Sequence, residues 1–282
     1  MLKFYVSPVL FYKIRPTFLK NFFQIDPSFS ELGIPQGNVS RKTFAGRLIK
    51  LDHLVIDYCL PKFSSNNGVF NFLDLGCSTG VTSLDSYNFF KNRDLSFNIY
   101  INDPFSFISI YRIKYLLSIY KSSVNGSIIS FKLFNFIACV YNRKFFLSFM
   151  LYALLKYFSF NIPFYKSVNF LVSDVNLLLQ SGDLFSVNND FFDKPSSERF
   201  DIIRVANLLN SDLFSLEKSV EFMSNVFLSL NDNGFLLVAR ESNVTNYTLF
   251  RKVFLSECNA FKLVIVTRSL SGCDMEELWL NT

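Results

Sequence analysis

The chain has 282 residues, of which half are apolar and 18% are aromatic. This length and composition allow a large core in one domain, or in one domain with an insertion, and they exclude a disordered chain. The formal net charge of +5 is unevenly distributed, because residues 1–50 carry eight Lys/Arg against two acids and residues 104–173 carry eight Lys/Arg and no acid. Two interpretations remain open: these segments bind an anionic partner, or their basic residues keep apolar helices soluble.

The cysteines and the single histidine argue against a disulfide framework and against a histidine-rich metal site. His53 lies in an apolar helical stretch, where a structural role is favoured over a catalytic one. No two cysteines form a CxxC pair, so we expect a reduced, cytoplasmic protein without a bound metal. The cysteines are Cys59, Cys77, Cys139, Cys258 and Cys273.

The first 23 residues are basic and aromatic, and Pro8, Lys13 and Arg15 interrupt their apolar run. These interruptions argue against a signal peptide and favour an amphipathic segment packed on the domain, with an organelle-targeting segment as the weaker alternative. No stretch of the sequence reaches the roughly 18 uncharged apolar residues that a membrane-spanning helix needs.

Apolar runs and turn signals predict strands and helices that alternate along the chain. Helical segments that end before Pro61 are followed, after a turn, by a strand that leads into Gly76. Alternation of this kind is typical of a parallel sheet covered by helices on both faces. The predicted strands are Val69–Leu75, Phe97–Ile101, Val168–Val172, Phe200–Ala206 and Gly234–Ala239, and the predicted helices are Thr82–Asn92, Ser215–Leu230 and Thr245–Glu257. The last predicted feature is a closing hairpin formed by Phe261–Thr267 and Glu276–Leu280.

Residues 121–166 form an extra segment that does not fit this alternation of strands and helices, and they are apolar and basic. Because a structureless loop of this length is uncommon in a compact domain, we expect one or two helices here, forming a lid or a membrane-facing element. Phe145–Phe158 is the clearest candidate, because it is apolar nearly all round and therefore has to be buried against protein, an apolar substrate or lipid.

The most informative motif is the run Asn71–Gly80, where a strand enters a turn of small residues and the turn opens a helix. Glycines in such a turn let backbone N–H groups at a helix N-terminus come close to a polar ligand. In doubly wound folds, ligands bind at this carboxyl edge of the sheet. The run lacks the G-x-G-x-x-G spacing of a dinucleotide-binding turn.

This run closely resembles motif I of the class I S-adenosylmethionine-dependent methyltransferases, in which an acidic residue precedes G-x-G-x-G. Asp74, Gly76 and Gly80 match that motif, and Ser78 replaces the middle glycine. The resemblance implies that S-adenosylmethionine is the cofactor and that these residues, together with Cys77, bind it.

Further matches follow in the order that the same family would have. The resemblance implies that Asp103, after the second strand, bonds the ribose hydroxyls, and that Asp174 and the adjacent Val175, after the third strand, meet the adenine. The fourth strand begins with Phe200-Asp201, and the fifth follows the turn Asp232-Asn233-Gly234. The similarity covers residues 68–282 apart from the surplus segment.

The resemblance implies an α/β, Rossmann-like, doubly wound and mostly parallel seven-stranded sheet with a C-terminal antiparallel hairpin. We therefore expect an N-terminal helical extension over 1–67 and a methyltransferase domain over 68–282, with a helical insertion at 121–166. The loop after the fourth strand should face the substrate, where Asn207 and Asn210 either hold the acceptor by hydrogen bonds or cap the following turn. Arg204 and Arg240 either orient the substrate or pair with neighbours.

The methyl acceptor is predicted only by class. Neither the tetrapeptide of amino-methylating DNA enzymes nor a Pro-Cys pair occurs, so nucleic acid is disfavoured, although basic and aromatic residues would still suit RNA. A metal-dependent mechanism of the catechol type is disfavoured as well, and no catalytic base is identified. We expect a small or amphipathic acceptor with an O- or N-nucleophile. The alternatives are a non-catalytic S-adenosylmethionine-binding protein and a membrane-peripheral interaction protein that contacts lipid through 121–166.

Overall fold

The computed structural model describes residues 45–63, 68–103, 107–113, 117–122, 128–133, 136–139, 163–169, 171–209, 215–241, 245–273 and 275–282. Backbone contacts divide the chain into two compact units. The larger unit comprises Gly46–Asp103 and Asp174–Thr282, and the smaller unit comprises the remaining residues. The helix that we expected in a separate extension over 1–67 therefore belongs, from Gly46 onward, to the larger unit.

In the larger unit, seven strands form one mixed sheet. Its strands are β1 (Phe70–Leu75), β2 (Phe97–Asn102), β8 (Leu184–Ser186), β9 (Phe200–Ala206), β10 (Leu230–Glu241), β11 (Thr245–Leu255) and β12 (Ala260–Arg268). Their order across the sheet is β12-β11-β10-β9-β1-β2-β8. The five strands from β10 to β8 run parallel, and β11 and β12 close the sheet as an antiparallel hairpin. The predicted fold class, a mostly parallel seven-stranded α/β sheet with a C-terminal antiparallel hairpin, is confirmed.

The helices of the larger unit begin with a segment in which a π-helical turn separates two short α-helices. It consists of α1 (Ile49–Leu54), a π-helical turn (Val55–Cys59) and α2 (Leu60–Phe63). The prediction that Pro61 ends the helix is wrong, because the helical backbone continues through Pro61 to Phe63. The remaining helices are α3 (Val81–Lys91), α4 (Ser173–Ser181), α5 (Leu216–Ser229) and α6 (Glu276–Leu280).

Helix α5 shows how the sequence forms these elements. Ser215 caps it by accepting a hydrogen bond from the N–H of Lys218 at 3.4 Å. Phe222, Met223 and Val226 repeat at helical spacing and are fully buried in the main core. The core also contains inward side chains of β1, β9 and β10, so the helix is held by the apolar face that it presents to the sheet.

Three further predictions, each of a strand or helix of the seven-stranded domain, are wrong. The third strand of the sheet is β8, not Val168–Val172, and β8 has only three residues. Thr245–Glu257 forms β11 rather than a helix, because its aromatic and β-branched residues pair with β10 on one side and β12 on the other. Glu276–Leu280 is α6 rather than a strand, and the hairpin is made by β11 and β12.

The smaller unit contains a five-stranded antiparallel sheet in the order β6-β5-β4-β3-β7. Its strands are β3 (Phe107–Ile113), β4 (Leu117–Ser122), β5 (Ile128–Leu133), β6 (Phe136–Cys139) and β7 (Phe164–Asn169). The prediction of helices over 121–166 is wrong for the described part of that segment. The stretch 129–133, Ile-Ser-Phe-Lys-Leu, alternates apolar and polar residues with the period of a strand. The predicted helix Phe145–Phe158 lies outside the described residues.

None of the helices within the described ranges combines the length and the hydropathy that crossing a bilayer requires.

Candidate functional site

The turn Gly76–Gly80 joins the end of β1 to the start of α3. Because β1 lies between β2 and β9, the turn emerges at the carboxyl edge of the parallel strands. Every second residue of the turn has a left-handed backbone, with φ of 77° at Gly76, 56° at Ser78 and 79° at Gly80. These left-handed residues bend the chain sharply, and the N–H groups of Gly76 and Ser78 tie the turn to Asn102 and Asp103 at the end of β2.

Ser78 occupies the position where the related motif has its middle glycine. Its positive φ explains why glycine suits this position, since a side chain raises the energy of the left-handed conformation. The Ser78 N–H donates a hydrogen bond of 2.9 Å to the carboxylate of Asp103. This charge-assisted bond holds the strained residue in place.

Asp103 follows β2 and is buried beside the turn. The preceding residue, Asn102, joins the end of β2 both to the turn and to the loop after β8. Its backbone carbonyl accepts from the Gly76 N–H at 2.8 Å, and its side-chain amide donates to the carbonyl oxygens of Val187 and Asn189 at 2.7 and 2.8 Å. The structure thus brings Gly76, Ser78 and Asp103 together, as the sequence predicted that they would be.

Asp74 was predicted to bind the cofactor, but its carboxylate is occupied by contacts within the protein. It is fully buried, and its two carboxylate oxygens accept hydrogen bonds from Nε and Nη2 of Arg204 at 2.9 and 2.8 Å. Ser83 at the start of α3 donates a further bond of 2.6 Å to the same carboxylate. Asp74 therefore links the end of β1, just before the turn, to β9 and to α3.

Arg204 is completely buried and forms a second ion pair, in which Nη1 lies 2.7 Å from Asp52 in α1. Ser86 of α3 bonds both Arg204 and Asp52, at 2.9 Å in each case. Burial raises the pKa of Asp52 to about 6, against the opposing effect of Arg204. Burial acts to lower the pKa of Arg204, but Asp74 and Asp52 more than offset it, so that pKa is raised.

The adenine residues expected from the sequence are displaced from the end of the third strand. Asp174 and Val175 lie in the first turn of α4, where Asp174 is exposed and Val175 is buried. The residues that follow the third strand are Asn188, Asn189 and Asp190. Sequence reasoning missed this loop, although the run Asp183–Asp190 contains a short apolar strand bounded by Gly182 and by polar residues.

Asn207 follows β9 directly, with a left-handed φ of 55° and an exposed side chain. Its N–H donates to the carbonyl of Ala239 in β10 at 2.9 Å. The neighbouring Leu208 packs near the turn, since a Cβ added at Gly76 would lie 3.2 Å from Leu208 Cδ1. Asn210, the other predicted substrate residue, lies outside the described residues.

The turn also holds a buried hydroxyl. Thr79 is 3% exposed, and its Oγ1 has no hydrogen-bond partner among the described residues. A buried hydroxyl without a partner costs about 1–3 kcal/mol. A polar ligand group held against the turn would satisfy it, and the glycines at both ends of the turn allow such an approach. These features fit the polar part of S-adenosylmethionine.

Two other residues that the sequence analysis considered, His53 and Asp201, make contacts away from the turn. His53 is exposed and packs edge-on against Phe89 with ring centroids 4.7 Å apart, in agreement with the structural interpretation. Asp201, at the start of β9, accepts from the Asn71 N–H at 2.9 Å and from the Asn231 side chain at 2.8 Å. These bonds join the amino ends of β1 and β9, at the edge of the sheet opposite the turn.

A scan against protein-family models and a search of curated proteins found no match. Solved structures with a similar fold include N-methyltransferase NodS from Bradyrhizobium japonicum, at 12% identity and a TM-score of 0.32 over 68% of this chain and 66% of that chain. TehB from Haemophilus influenzae matches at 14% identity and a TM-score of 0.27 over 67% of this chain and 44% of that chain. The plantazolicin methyltransferase BpumL in complex with SAH matches at 12% identity and a TM-score of 0.32 over 69% of this chain and 46% of that chain. The chain thus spans less than two thirds of these proteins.

Proposed function

We propose that this chain is a class I S-adenosylmethionine-dependent methyltransferase that modifies a small or amphipathic acceptor at an oxygen or nitrogen nucleophile. The observation that carries the proposal is the left-handed turn Gly76–Gly80 at the carboxyl edge of the sheet, with Asp103 bonded to the Ser78 N–H. The sequence motif around Asp74 adds to it.

The protein would hold the cofactor chiefly through backbone and polar groups at this edge. The N–H groups at the start of α3 suit the carboxylate of the methionine moiety, because a helix N-terminus attracts anions. The Thr79 hydroxyl would donate a hydrogen bond to the same polar end, and Asp103 would accept from the ribose hydroxyls. When bound, S-adenosylmethionine supplies an electrophilic methyl group on its sulfonium sulfur.

The adenine contact is assigned to the loop after β8 in this proposal. The resemblance places that contact after the third strand, and the structure identifies β8 as the third strand. We therefore assign the adenine contact to residues 188–190, in place of the predicted Asp174 and Val175. Asn102 would hold this loop beside the end of β2, because its amide donates hydrogen bonds to the backbone carbonyls of Val187 and Asn189.

The acceptor side is assigned to the loop that begins at Asn207. Methyl transfer requires in-line placement of the nucleophile, and proximity accounts for much of the acceleration. The exposed Asn207 side chain lies at the end of β9, next to the strand that carries the turn. It would orient the acceptor by hydrogen bonding, without a covalent step.

The proposal is tested by titrating S-adenosylhomocysteine into the wild-type protein and two glycine variants. Gly76→Ala and Gly182→Ala both place a side chain on a left-handed residue, with φ of 77° and 80°, so both carry similar backbone strain. Only Gly76 belongs to the turn. We expect micromolar binding by the wild-type protein and Gly182→Ala, and loss of binding by Gly76→Ala. If millimolar ligand gives neither heat nor a thermal shift with the wild-type protein, the proposed function is wrong.

A further inference from the structure

One buried arginine connects helix α1 to the glycine turn. Asp52 in α1, Asp74 in β1 and Arg204 in β9 are far apart in the sequence and form one ion-pair group in the interior. Ser83 and Ser86 of α3 complete it with hydroxyl groups. We refer to these five residues as the Arg204 cluster.

Stability does not explain the Arg204 cluster. A buried ion pair loses the hydration of both charges, and replacing such a group with apolar side chains is often neutral or stabilising. Within the described part of the chain, Oδ2 of Asp52 is buried and has no hydrogen-bond partner, so the ionised carboxylate is incompletely satisfied. An arrangement that is unfavourable for Asp52 indicates a function for its position.

The Arg204 cluster holds both sides of the glycine turn. Asp74 is two residues before Gly76, so its bidentate bond to Arg204 fixes the strand that enters the turn. Ser83 and Ser86 lie in the first two turns of α3, so their bonds to Asp74 and Arg204 fix the helix that leaves the turn. A shift of either side would change the distance between the Ser78 N–H and Asp103.

We propose that Asp52 and Arg204 are positioning residues of the cofactor site. Helix α1, which carries Asp52, fixes the position of the glycine turn and does not contact the ligand. The inference rests on the proposed function. Asp52 holds Arg204, Arg204 holds Asp74, and Asp74 holds the entry to the turn. A second contact of the same segment with α3 is the hydrogen bond of 2.7 Å from the Gly46 N–H to Asp85.

The same chain of contacts predicts a pH-dependent affinity. The charged groups that face Asp52 are Arg204 from β9, Asp74 from β1 and Asp85 from α3, and Ser86 donates a hydrogen bond to it. Because burial raises the pKa of Asp52 to about 6, protonation near that pH removes the charge that holds Nη1 of Arg204. Cofactor affinity should therefore fall as the pH is lowered through 6.

The test compares the wild-type protein with Asp52→Asn and with Asp57→Asn. Asp57 is exposed on the next turn of the same helical segment and serves as a matched control. We expect Asp52→Asn to bind S-adenosylhomocysteine about 5- to 30-fold more weakly at pH 7.5, with Asp57→Asn unchanged. Between pH 7.5 and 5.5 the wild-type affinity should fall several-fold, and the affinity of Asp52→Asn should stay nearly constant.

Hydrogen–deuterium exchange without ligand separates this inference from the proposed function. Peptides that cover residues 72–84 should exchange faster in Asp52→Asn than in the other two proteins, while its melting temperature at pH 7.5 stays at or above the wild-type value. Equal affinity and equal exchange in the two variants would overturn the positioning role. If the wild-type protein binds no S-adenosylhomocysteine but the exchange difference is present, the proposed function fails and the positioning of the turn stands.

Discussion

The carboxylate of Asp103 accepts a hydrogen bond of 2.9 Å from the backbone N–H of Ser78, and this bond joins the end of β2 to the turn that follows β1. The same carboxylate is the proposed acceptor for the ribose hydroxyls. It therefore stabilises a left-handed residue of the turn and would also bind the ligand, so changes at Asp103 should affect both.

Replacing Asp103 with alanine should weaken S-adenosylhomocysteine binding by about 1–3 kcal/mol, because a charged acceptor is removed from the turn and from the ligand. Isothermal titration calorimetry measures this loss. Asp201→Ala is the control, since its carboxylate bonds Asn71 and Asn231 at the opposite edge of the sheet. It should lower stability but leave affinity nearly intact. Equal affinities of the two variants would show that the ribose site is misplaced.

Replacing Arg204 with methionine should destabilise the fold by about 3–5 kcal/mol, because two buried carboxylates lose their cation. Urea denaturation at pH 7.5 measures the change in the free energy of unfolding. Adding Asp52→Asn to this variant removes one of the two unpaired charges and should recover part of the loss. Additive effects of the two substitutions would contradict direct coupling between the two side chains.

The stability difference between the wild-type protein and Asp52→Asn should depend on pH. The folded pKa of Asp52, about 6, lies above its ordinary value of 3.8, so the folded state binds this proton more tightly than the unfolded state does. The stabilising contribution of the proton is complete below about pH 4 and is lost as the pH rises through 6. Wild-type stability relative to the variant should therefore fall between pH 4 and 6.5 and stay constant above that range. Urea denaturation at four pH values, with Asp57→Asn as the reference, measures this trend, and an opposite slope would contradict the burial of an ionised Asp52.

Replacing Gly234 with alanine should cost about 1–3 kcal/mol of stability through overpacking. The new Cβ would lie 2.8 Å from the Asn231 carbonyl oxygen and 3.0 Å from the Asp201 carbonyl oxygen, and backbone atoms cannot move away easily. Thermal and urea denaturation measure the loss. Gly234 lies in the irregular start of β10, between Leu230 and Phe235, at the edge opposite Gly76–Gly80. S-adenosylhomocysteine affinity should therefore be unchanged in the folded fraction. An unchanged stability would show that this part of β10 relaxes.

The central strands and their helices could be predicted from the sequence. The strands β1, β2, β9 and β10 are apolar runs bounded by glycine, asparagine and aspartate, and α3 and α5 have clear beginnings. For the same reason, the turn Gly76–Gly80 was predicted at the correct edge, with Asp103 beside it. Strand runs and glycine turns are encoded locally, because burial and backbone conformation act on neighbouring residues.

The tertiary structure decided the elements whose stability comes from distant partners. Strand β8 has three residues and exists because β2 pairs with it, so the sequence placed the third strand at Val168–Val172 instead. The pattern of Thr245–Glu257 is compatible with a helix, and pairing with β10 and β12 makes it a strand. The sequence left open whether Arg204 orients a substrate or pairs with neighbours. Its two carboxylate partners lie 130 and 152 residues away, and only the folded chain brings them within hydrogen-bonding distance, where burial makes the contacts strong.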